Sequence, residues 1–431
     1  MTYSASVDFL YRLQKHGIKL GLDQVRALLA GLGEPQQRYG AIHIAGTNGK
    51  GSTAAMTAAI LQAAGYRVGL YTSPHLVDFR ERIRVNGTLI SEEAVTDLTE
   101  RLRGLTPTDL APTFFEFTTA MALQHFADTG VDLAVLEVGM GGRFDATNVI
   151  EPVASAITTI ALDHQEYLGH TITAIAAEKA GVIKPGVPVV TGRLDQTAET
   201  VIASVASKRH APLYRLGRDY RVTGETTADF TYEGLDRRFD RLNCPLEGAH
   251  QVDNAVCALA LVEIAARSGL PISDEAVRAG LRSVQWEGRL EMIDQEPAIL
   301  LDGAHNPAAA TVLADYLAAY RRNHPGARVM LVWGMMRDKD HRGFLTPLLP
   351  VIDELVLTQA DIARAATVRE LQTSLESLPV PVHVAPFPID ALARARQLTS
   401  PTDLICVSGS LMLVGDVKAV LRGCGLSSLR G

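Results

Sequence analysis

The stretch Ile42-His43-Ile44-Ala45-Gly46-Thr47-Asn48-Gly49-Lys50-Gly51-Ser52-Thr53 decides how the first half of this chain folds. An apolar run of strand length leads into a glycine-rich turn, and a helical pattern follows the turn. Backbone N–H groups of such a turn and the positive end of the helix dipole form a site for a polyphosphate, and Lys50 adds a positive charge. We therefore predict that the turn binds phosphate groups through Thr47, Asn48, Gly49, Lys50, Gly51 and Ser52.

This turn departs from the strict P-loop pattern at both ends. Ile44 stands where the pattern has its first glycine, and Gly51 intervenes between Lys50 and Ser52. A glycine-rich turn with one lysine can also be purely structural. The rest of the chain has to decide between the two interpretations.

Apolar runs of strand length alternate with helical patterns along the first part of the chain. The runs cover residues 39–45, 66–71, 131–138, 153–161 and 187–190, and helical patterns cover 51–64 and 171–181. Strands buried on both faces and joined by helices indicate a mostly parallel sheet. Short alternating segments at 214–222 and 230–239, with Gly224 and Gly234 as turn residues, predict an antiparallel appendage from about residue 213 to 242.

A second α/β series begins near residue 292. Its predicted strands cover 298–301, 328–333, 354–357, 382–385 and 404–407, and its predicted helices cover 307–320, 368–378 and 389–398. We therefore predict an α/β protein with two domains. Residues 1–291 would form a P-loop mononucleotide-binding domain with a parallel sheet and the small antiparallel appendage, and residues 292–431 a smaller Rossmann-like domain.

Composition excludes several classes of protein. The chain has 431 residues, 47% of them hydrophobic, and 41 basic against 48 acidic side chains, which is typical of a globular protein. Without a basic run, affinity for nucleic-acid phosphates is not expected. No apolar stretch is long enough to cross a bilayer, and no apolar signal region follows a basic start, so we expect a cytoplasmic protein without a membrane partner. Cys244, Cys257, Cys406 and Cys424 form no Cys-x-x-Cys pair and are expected to be reduced thiols.

Further polar motifs follow the predicted strands. They are Tyr71-Thr72-Ser73-Pro74-His75-Leu76, Glu137-Val138-Gly139-Met140-Gly141-Gly142-Arg143-Phe144-Asp145-Ala146-Thr147-Asn148, Leu162-Asp163-His164, Glu178-Lys179-Ala180-Gly181, Gly288-Arg289-Leu290, Leu301-Asp302-Gly303-Ala304-His305-Asn306-Pro307 and Ser408-Gly409-Ser410-Leu411. Ser73 and Glu137 end predicted strands, where side chains reach the crevice above a parallel sheet. Their oxygen atoms suit Mg²⁺. Without further context, a strand-end Glu137 is often a helix-cap partner, His164 is more often a structural histidine, and Lys179 forms a salt bridge with Glu178 or another carboxylate.

Together with the variant loop, these motifs resemble the ATP-dependent Mur ligase superfamily, specifically its folylpolyglutamate synthase and dihydrofolate synthase branch. The motifs occur in the order found in that family and cover nearly the whole chain. The resemblance implies a ligase that uses ATP to convert a folate carboxylate into an acyl phosphate. The amino group of L-glutamate then attacks this intermediate, and ADP and phosphate are released. The implied partners are dihydropteroate, reduced folates and L-glutamate.

The resemblance also implies roles for individual residues. Lys50, Glu137, His164 and Lys179 would be catalytic. Ser73 and Glu137 would hold a first Mg²⁺, Glu137 and His164 would meet a second, and a carbamylated Lys179 would add an anionic oxygen ligand. Carbamylation needs the neutral amine, and burial lowers the pKa of a lysine toward that condition.

Nucleotide and folate contacts follow from the same resemblance. Asn254 would bind adenine, Arg289 the phosphates, and Asp302 with His305 would add contacts from the second domain, so we expect activity to depend on domain closure. Asn254 is otherwise read as a helix N-cap and Asp302 as a strand-end cap. Folate would lie against Thr113, Phe114, Phe115 and Glu116 and against Phe144, Asp145 and Ala146, although aromatic clusters are more often core. Arg82 and Arg84 are candidates for the glutamate carboxylates, although surface arginines usually only face solvent.

Several alternatives stay open at this point. The segment 143–148 favours a bifunctional enzyme over a monofunctional folylpolyglutamate synthase. A peptidoglycan-type Mur ligase would carry a further domain before the loop, whereas 45 residues precede Gly46. A P-loop ATPase or nucleotide switch would explain Lys50 but not the order of Glu137, His164 and Lys179. Nothing in the sequence demands an oligomer, and we expect a monomer.

Overall fold

The computed structural model describes residues 1–17, 21–106, 110–293, 296–375 and 378–423. These residues form two compact units. The first contains residues 1–74, 79–245 and 249–285, and the second contains 75–78, 246–248 and the residues from 286 onward. Both units are built from helices and a parallel-dominated sheet, which confirms the predicted α/β class.

The first unit contains ten α-helices and eleven strands among the described residues. The helices are α1 (Tyr3–Arg12), α2 (Asp23–Gly31), α3 (Lys50–Ala63), α4 (Glu92–Leu105), α5 (Phe114–Asp128), α6 (Gln165–Leu168), α7 (Ile172–Lys179), α8 (Gln196–Lys208), α9 (His250–Arg267) and α10 (Asp274–Ser283). The strands are β1 (Gly40–Ala45), β2 (Val68–Tyr71), β3 (Ile83–Val85), β4 (Thr88–Leu89), β5 (Leu133–Glu137), β6 (Ala154–Ile157), β7 (Val189–Thr191), β8 (Leu213–Arg215), β9 (Arg221–Thr226), β10 (Asp229–Glu233) and β11 (Arg238–Leu242).

The main sheet of this unit has the strand order β4-β3-β2-β5-β1-β6-β7-β8. From β2 to β8 the strands are parallel, and β3 and β4 add an antiparallel edge that the sequence analysis did not predict. Strands β1, β2, β5 and β6 are apolar and almost wholly buried, as strands covered on both faces by helices must be. Because these strands run parallel, their carboxyl ends meet at one edge of the sheet. Glu137 there lies opposite Ile44, two residues before the glycine-rich turn.

The antiparallel appendage begins later in the chain than predicted. Strand β8 pairs in parallel with β7, so Tyr214 belongs to the main sheet. Only β9, β10 and β11 form the separate antiparallel sheet. In a strand of three residues, the alternation of apolar and polar residues looks the same at the edge of a parallel sheet as in a hairpin. The sequence pattern therefore placed residues 214–222 in one segment.

The second unit contains strands β12 (Glu291–Ile293), β13 (Ala298–Leu301), β14 (Val329–Trp333), β15 (Glu354–Leu357), β16 (Val382–Val384) and β17 (Leu404–Ser408). Its helices are α11 (Pro307–Asn323), α12 (His341–Leu345), α13 (Val368–Ser374), α14 (Pro388–Leu398) and α15 (Leu411–Leu421). The strand order is β12-β13-β17-β14-β15-β16, and only β12 is antiparallel to its neighbour. Apolar clusters cover both faces of this sheet, as the Rossmann-like prediction requires.

Two further observations concern the described residues alone. None of their helices combines the length and the hydropathy that a membrane span requires. Cys244, Cys257 and Cys406 are buried and form no disulfide within the described residues, and Cys424 lies outside them.

Candidate active site

The glycine-rich turn joins the end of β1 to the start of α3. Gly49 has a positive φ of 84°, a backbone conformation that residues with a Cβ rarely adopt. The segment after β6 holds the turn in place, because the Thr47 amide donates to the Thr159 carbonyl at 2.7 Å and the Thr158 hydroxyl to the Asn48 carbonyl at 2.6 Å. This threonine pair was not predicted, although two adjacent threonines at the end of an apolar strand are a visible signal.

Two lysines converge on this turn. Lys50 Nζ donates to the Thr47 carbonyl at 3.1 Å. Lys179, the last residue of α7, is 4% exposed, and its Nζ donates to the Gly46 carbonyl at 2.7 Å. Burial, with the charge of Lys50, lowers the pKa of Lys179 to about 7. About half of the Lys179 amine is therefore neutral at pH 7, and Glu178 pairs instead with Arg143.

Glu137 lies at the carboxyl end of β5, between β2 and β1. It is buried, and its Oε2 accepts the Ser73 backbone N–H at 3.0 Å. The predicted strand ends therefore bring Ser73, Glu137 and the turn to one edge of the sheet.

His164 is the N-cap residue of the short helix α6 and has a positive φ of 49°. Its side chain is partly exposed, and its Nε2 lies 4.0 Å from Oδ2 of the buried Asp163. Asp163 also accepts the His164 backbone N–H at 2.8 Å. The sequence analysis quoted Asp163 within a motif but assigned it no role.

The oxygen-rich composition of this edge fits a hard divalent cation better than zinc. Within the described ranges, no three His, Cys, Asp or Glu side chains form a cluster that would enclose a metal ion. A cation held by Ser73 and Glu137 would therefore keep other positions for water and phosphate oxygens, which is the usual coordination of Mg²⁺.

Asn254 lies in the second turn of α9, beside the glycine-rich turn. A Cβ on Gly49 would lie 2.3 Å from Asn254 Oδ1, so Gly49 permits this close approach. The Asn254 Nδ2 donates to Gln251 Oε1 at 2.9 Å. The N-cap of α9 is Ala249, so the helix-cap interpretation of Asn254 is wrong.

The first group of predicted folate residues has clear structural contacts. Thr113 and Glu116 form the capping box of α5. Phe114 is buried against Tyr11, with ring centroids 5.6 Å apart, and its ring lies 5.0 Å from the Arg82 guanidinium carbon. Arg82 is itself buried, so its interpretation as a surface arginine is wrong.

Other members of the predicted folate set lie on the turn after Glu137. Phe115 packs against this turn, since a Cβ on Gly139 would lie 2.5 Å from its Cζ. Phe144 is 41% exposed, whereas Asp145 and Ala146 are buried. The Asp145 carboxylate accepts the Met140 N–H at 2.9 Å and the Thr147 N–H at 3.0 Å. Phe144 is thus the accessible aromatic surface, and Asp145 shapes the turn that carries it.

The predicted residues of the second unit cluster at the carboxyl end of β13. Asp302 is buried and accepts the Leu290 N–H at 2.9 Å and the Ala304 N–H at 3.0 Å. His305 Nδ1 lies 3.0 Å from the Gly303 carbonyl, and the Arg289 guanidinium donates to the Gly288 carbonyl at 2.9 Å. Asp302 therefore does cap this strand end, and its carboxylate joins the backbone at Leu290, next to Arg289, to the backbone at Ala304.

Two family models match the chain. The Mur ligase middle domain matches residues 44–262, and the Mur ligase glutamate ligase domain matches residues 288–411. The dihydrofolate synthase/folylpolyglutamate synthase of Bacillus subtilis is 34% identical over 97% of this chain and 99% of its own length. The chain belongs to this family of Mur ligases. It spans about half the length of the probable bifunctional folylpolyglutamate synthase/dihydropteroate synthase of Haloferax volcanii, with 38% identity over 97% of this chain.

Solved structures of this family share the fold. E. coli FolC in complex with DHPP and ADP superposes with a TM-score of 0.89 at 33% identity and covers 98% of both chains. The bifunctional folylpolyglutamate synthase/dihydrofolate synthase of Yersinia pestis, complexed with AMPPNP and a Mn ion, gives 0.87 at 35% identity, also covering 98% of both chains. These similarities cover both units of this Mur ligase.

Proposed function

We propose that this Mur ligase joins L-glutamate to the carboxylate of dihydropteroate and of reduced folates, with ATP as the activating substrate. The observation that carries the proposal is the convergence of Lys50, Lys179 and Glu137 on one phosphate-binding turn. A nucleotide switch would need the turn and Lys50 but gives no role to a buried lysine and a buried glutamate at the same edge of the sheet. We assign ATP binding to residues 1–291 and glutamate ligation to residues 292–431, in a monomeric enzyme.

The proposed reaction follows from the charges of the reactants. A carboxylate resists attack by an amine, so it first takes the γ-phosphoryl group of ATP to give an acyl phosphate. Both reactants are anionic, and catalysis therefore depends on placing cations and on holding the reactants in line. Thr47, Asn48, Gly49, Gly51 and Ser52 would hold the phosphates through backbone and hydroxyl groups, and Lys50 would neutralise developing charge.

Ser73 and Glu137 would hold a divalent cation, with His164 at a second one. Mg²⁺ bound there would neutralise phosphate charge during the transfer. Asp163, whose carboxylate lies 4.0 Å from His164 Nε2, would add negative charge beside this second cation.

Lys179 would act as a carbamate, formed when its neutral amine adds CO₂ and loses a proton. The carbamate nitrogen retains one N–H, so the bond to the Gly46 carbonyl can persist. The change also replaces repulsion between Lys179 and Lys50 by attraction. Asp163 and Asp145 face the same group, so a cation nearby would be needed to stabilise the added negative charge.

Asn254 would contact adenine, and Arg289, Asp302 and His305 of the second unit would supply further nucleotide contacts. The acceptor would lie against the exposed Phe144, with Asp145, Ala146 and Phe115 shaping the same turn. Thr113, Phe114 and Glu116 would support this surface from α5, given their packing and capping contacts.

The function is tested by measuring amide product and phosphate release with Mg-ATP, L-glutamate and either dihydropteroate or tetrahydrofolate. Product with both acceptors, each dependent on glutamate, is the expected result. Product with tetrahydrofolate alone would exclude the dihydrofolate synthase activity and leave a monofunctional enzyme. ATP hydrolysis indifferent to every acceptor would contradict the proposal and favour a nucleotide switch.

Replacing Gly49 by alanine should raise the KM for ATP by at least about tenfold. The new Cβ would be forced toward Asn254 Oδ1 and would displace either the turn or the proposed adenine contact. Gly65→Ala is the matched control, because Gly65 has a similar φ of 91° with nothing within 4 Å of the added Cβ. Both variants should lose about 1 kcal/mol of stability from backbone strain. An unchanged KM for ATP in Gly49→Ala would contradict the role of this contact.

A further inference from the structure

A fully buried histidine lies in the strand that leads to the phosphate-binding turn. His43 is 0% exposed in the middle of β1, and its Nε2 lies 2.7 Å from Thr147 Oγ1. The Thr147 hydroxyl lies 2.5 Å from Asp145 Oδ1. A continuous series of hydrogen bonds therefore joins β1 to the turn after Glu137.

The chemistry of the side chains fixes which group donates and which accepts in each of these hydrogen bonds. The hydroxyl of Thr147 has one proton, which it donates to the Asp145 carboxylate, so its oxygen accepts the proton of His43 Nε2. Burial, with the nearby charge of Lys184, lowers the pKa of His43 to about 3, and the ring is therefore neutral. The neutral ring carries its single proton on Nε2. Among the residues that the structure describes, nothing bonds to the buried His43 Nδ1.

Asp145, at the other end of this series of hydrogen bonds, shapes the turn that carries the proposed acceptor surface. Asp145 accepts N–H groups from both sides of Phe144, at Met140 and at Thr147. Its carboxylate thereby sets the path of residues 140–147. An apolar side chain in place of His43 would fill β1 at a lower desolvation cost, since an imidazole with one unpaired nitrogen is expensive to bury.

We propose that His43 and Thr147 are positioning residues for acceptor recognition: the His43–Thr147–Asp145 chain holds residues 140–147 in the conformation that presents Phe144 to the substrate. This inference rests on the proposed acceptor role of Phe144. Neither residue is expected to touch the acceptor, because both are fully buried.

The test compares variants that keep and lose the hydroxyl of Thr147. Thr147→Val should raise the KM for the folate acceptor about tenfold and leave the KM for ATP within twofold, and Thr147→Ser should restore the acceptor KM. Thr99→Val is the matched control, because Thr99 is equally buried and its hydroxyl donates to the Val95 carbonyl of its own helix. Equal changes in both KM values, or no change in either, would overturn the inference.

A second pair of variants tests His43 itself. The amide nitrogen of glutamine occupies the place of Nε2, whereas that of asparagine occupies the place of Nδ1. His43→Gln should therefore keep an acceptor KM near that of the wild type, and His43→Asn should raise it as Thr147→Val does. Similar KM values in the two variants would contradict a role for the Nε2 proton.

Hydrogen exchange separates this inference from the proposed function. Thr147→Val should speed amide exchange in peptides covering residues 139–148 by at least tenfold and leave peptides covering 46–53 unchanged. A wild type that makes no folate amide would refute the proposed function, and exchange would still decide the positioning role. Unaltered exchange at 139–148 in Thr147→Val would refute that role even in an active ligase.

Discussion

Glu137→Gln should lower kcat about a thousandfold, the size expected when one preorganised electrostatic contact in a phosphoryl-transfer site is lost. Glutamine keeps the shape of the side chain and can still accept the Ser73 N–H through its oxygen. It removes the negative charge that would hold the cation, so the Mg²⁺ concentration for half-maximal activity should also rise. Steady-state kinetics over a Mg²⁺ titration measures both effects.

A matched variant separates the effect of the lost charge on kcat from the effect of lost stability. Glu263 is also a buried glutamate of the first unit, and it accepts the Tyr232 hydroxyl at 2.9 Å and the Arg237 N–H at 2.8 Å. Glu263→Gln should lower the melting temperature and leave kcat within threefold. A Glu137→Gln enzyme with kcat within threefold of the wild type would exclude Glu137 as a cation ligand.

Lys179→Met should abolish amide synthesis, with a loss in kcat of about a thousandfold or more. Methionine fills the buried space without providing an amine for carbamylation. In the wild type, removing dissolved CO₂ should inactivate the enzyme slowly, and bicarbonate with Mg²⁺ should restore it. Because the pKa of Lys179 is about 7, roughly a tenth of the amine is neutral at pH 6 and roughly nine tenths at pH 8. Reactivation at constant CO₂ should therefore be faster at pH 8.

Lys184→Met is the control for Lys179→Met. Lys184 is a partly buried lysine five residues later, and its Nζ donates to the Asn148 carbonyl at 2.9 Å. Its replacement should reduce stability and leave kcat at saturating acceptor near that of the wild type. ¹³C-bicarbonate should give one protected carbamate signal in the wild type and none in Lys179→Met. A fully active Lys179→Met, or activity indifferent to CO₂, would contradict the carbamate.

The positions of the predicted site residues show which signals in the sequence were reliable. Ser73 and Glu137 lie at the same edge of the main sheet because parallel strands align their carboxyl ends, a consequence that follows from the order of apolar runs alone. Lys179 also lies against the glycine-rich turn, yet its local pattern is equally that of a lysine paired with Glu178. Motif order indicated Lys179, and only the packing of α7 against the turn shows its burial.

The aromatic residues in the sequence did not indicate which of them would be exposed in the fold. Phe114 and Phe144 are both phenylalanines beside glycine- or threonine-rich segments, but one is buried against Tyr11 and the other is exposed. Exposure depends on which elements pack nearby, and this information is distributed over the whole chain. The same reason explains why Arg82 looked like a surface residue.

The sequence by itself determined the α/β class, the strand-to-helix phosphate turn and the family, because local periodicity and motif order are properties of short segments. The tertiary structure decided which polar groups meet. The contact of Thr158 with the Asn48 carbonyl and the path from His43 through Thr147 to Asp145 join residues up to 110 positions apart. Such contacts arise when strands distant in sequence become neighbours in one sheet, and desolvation then sets the charges of the side chains that they bury.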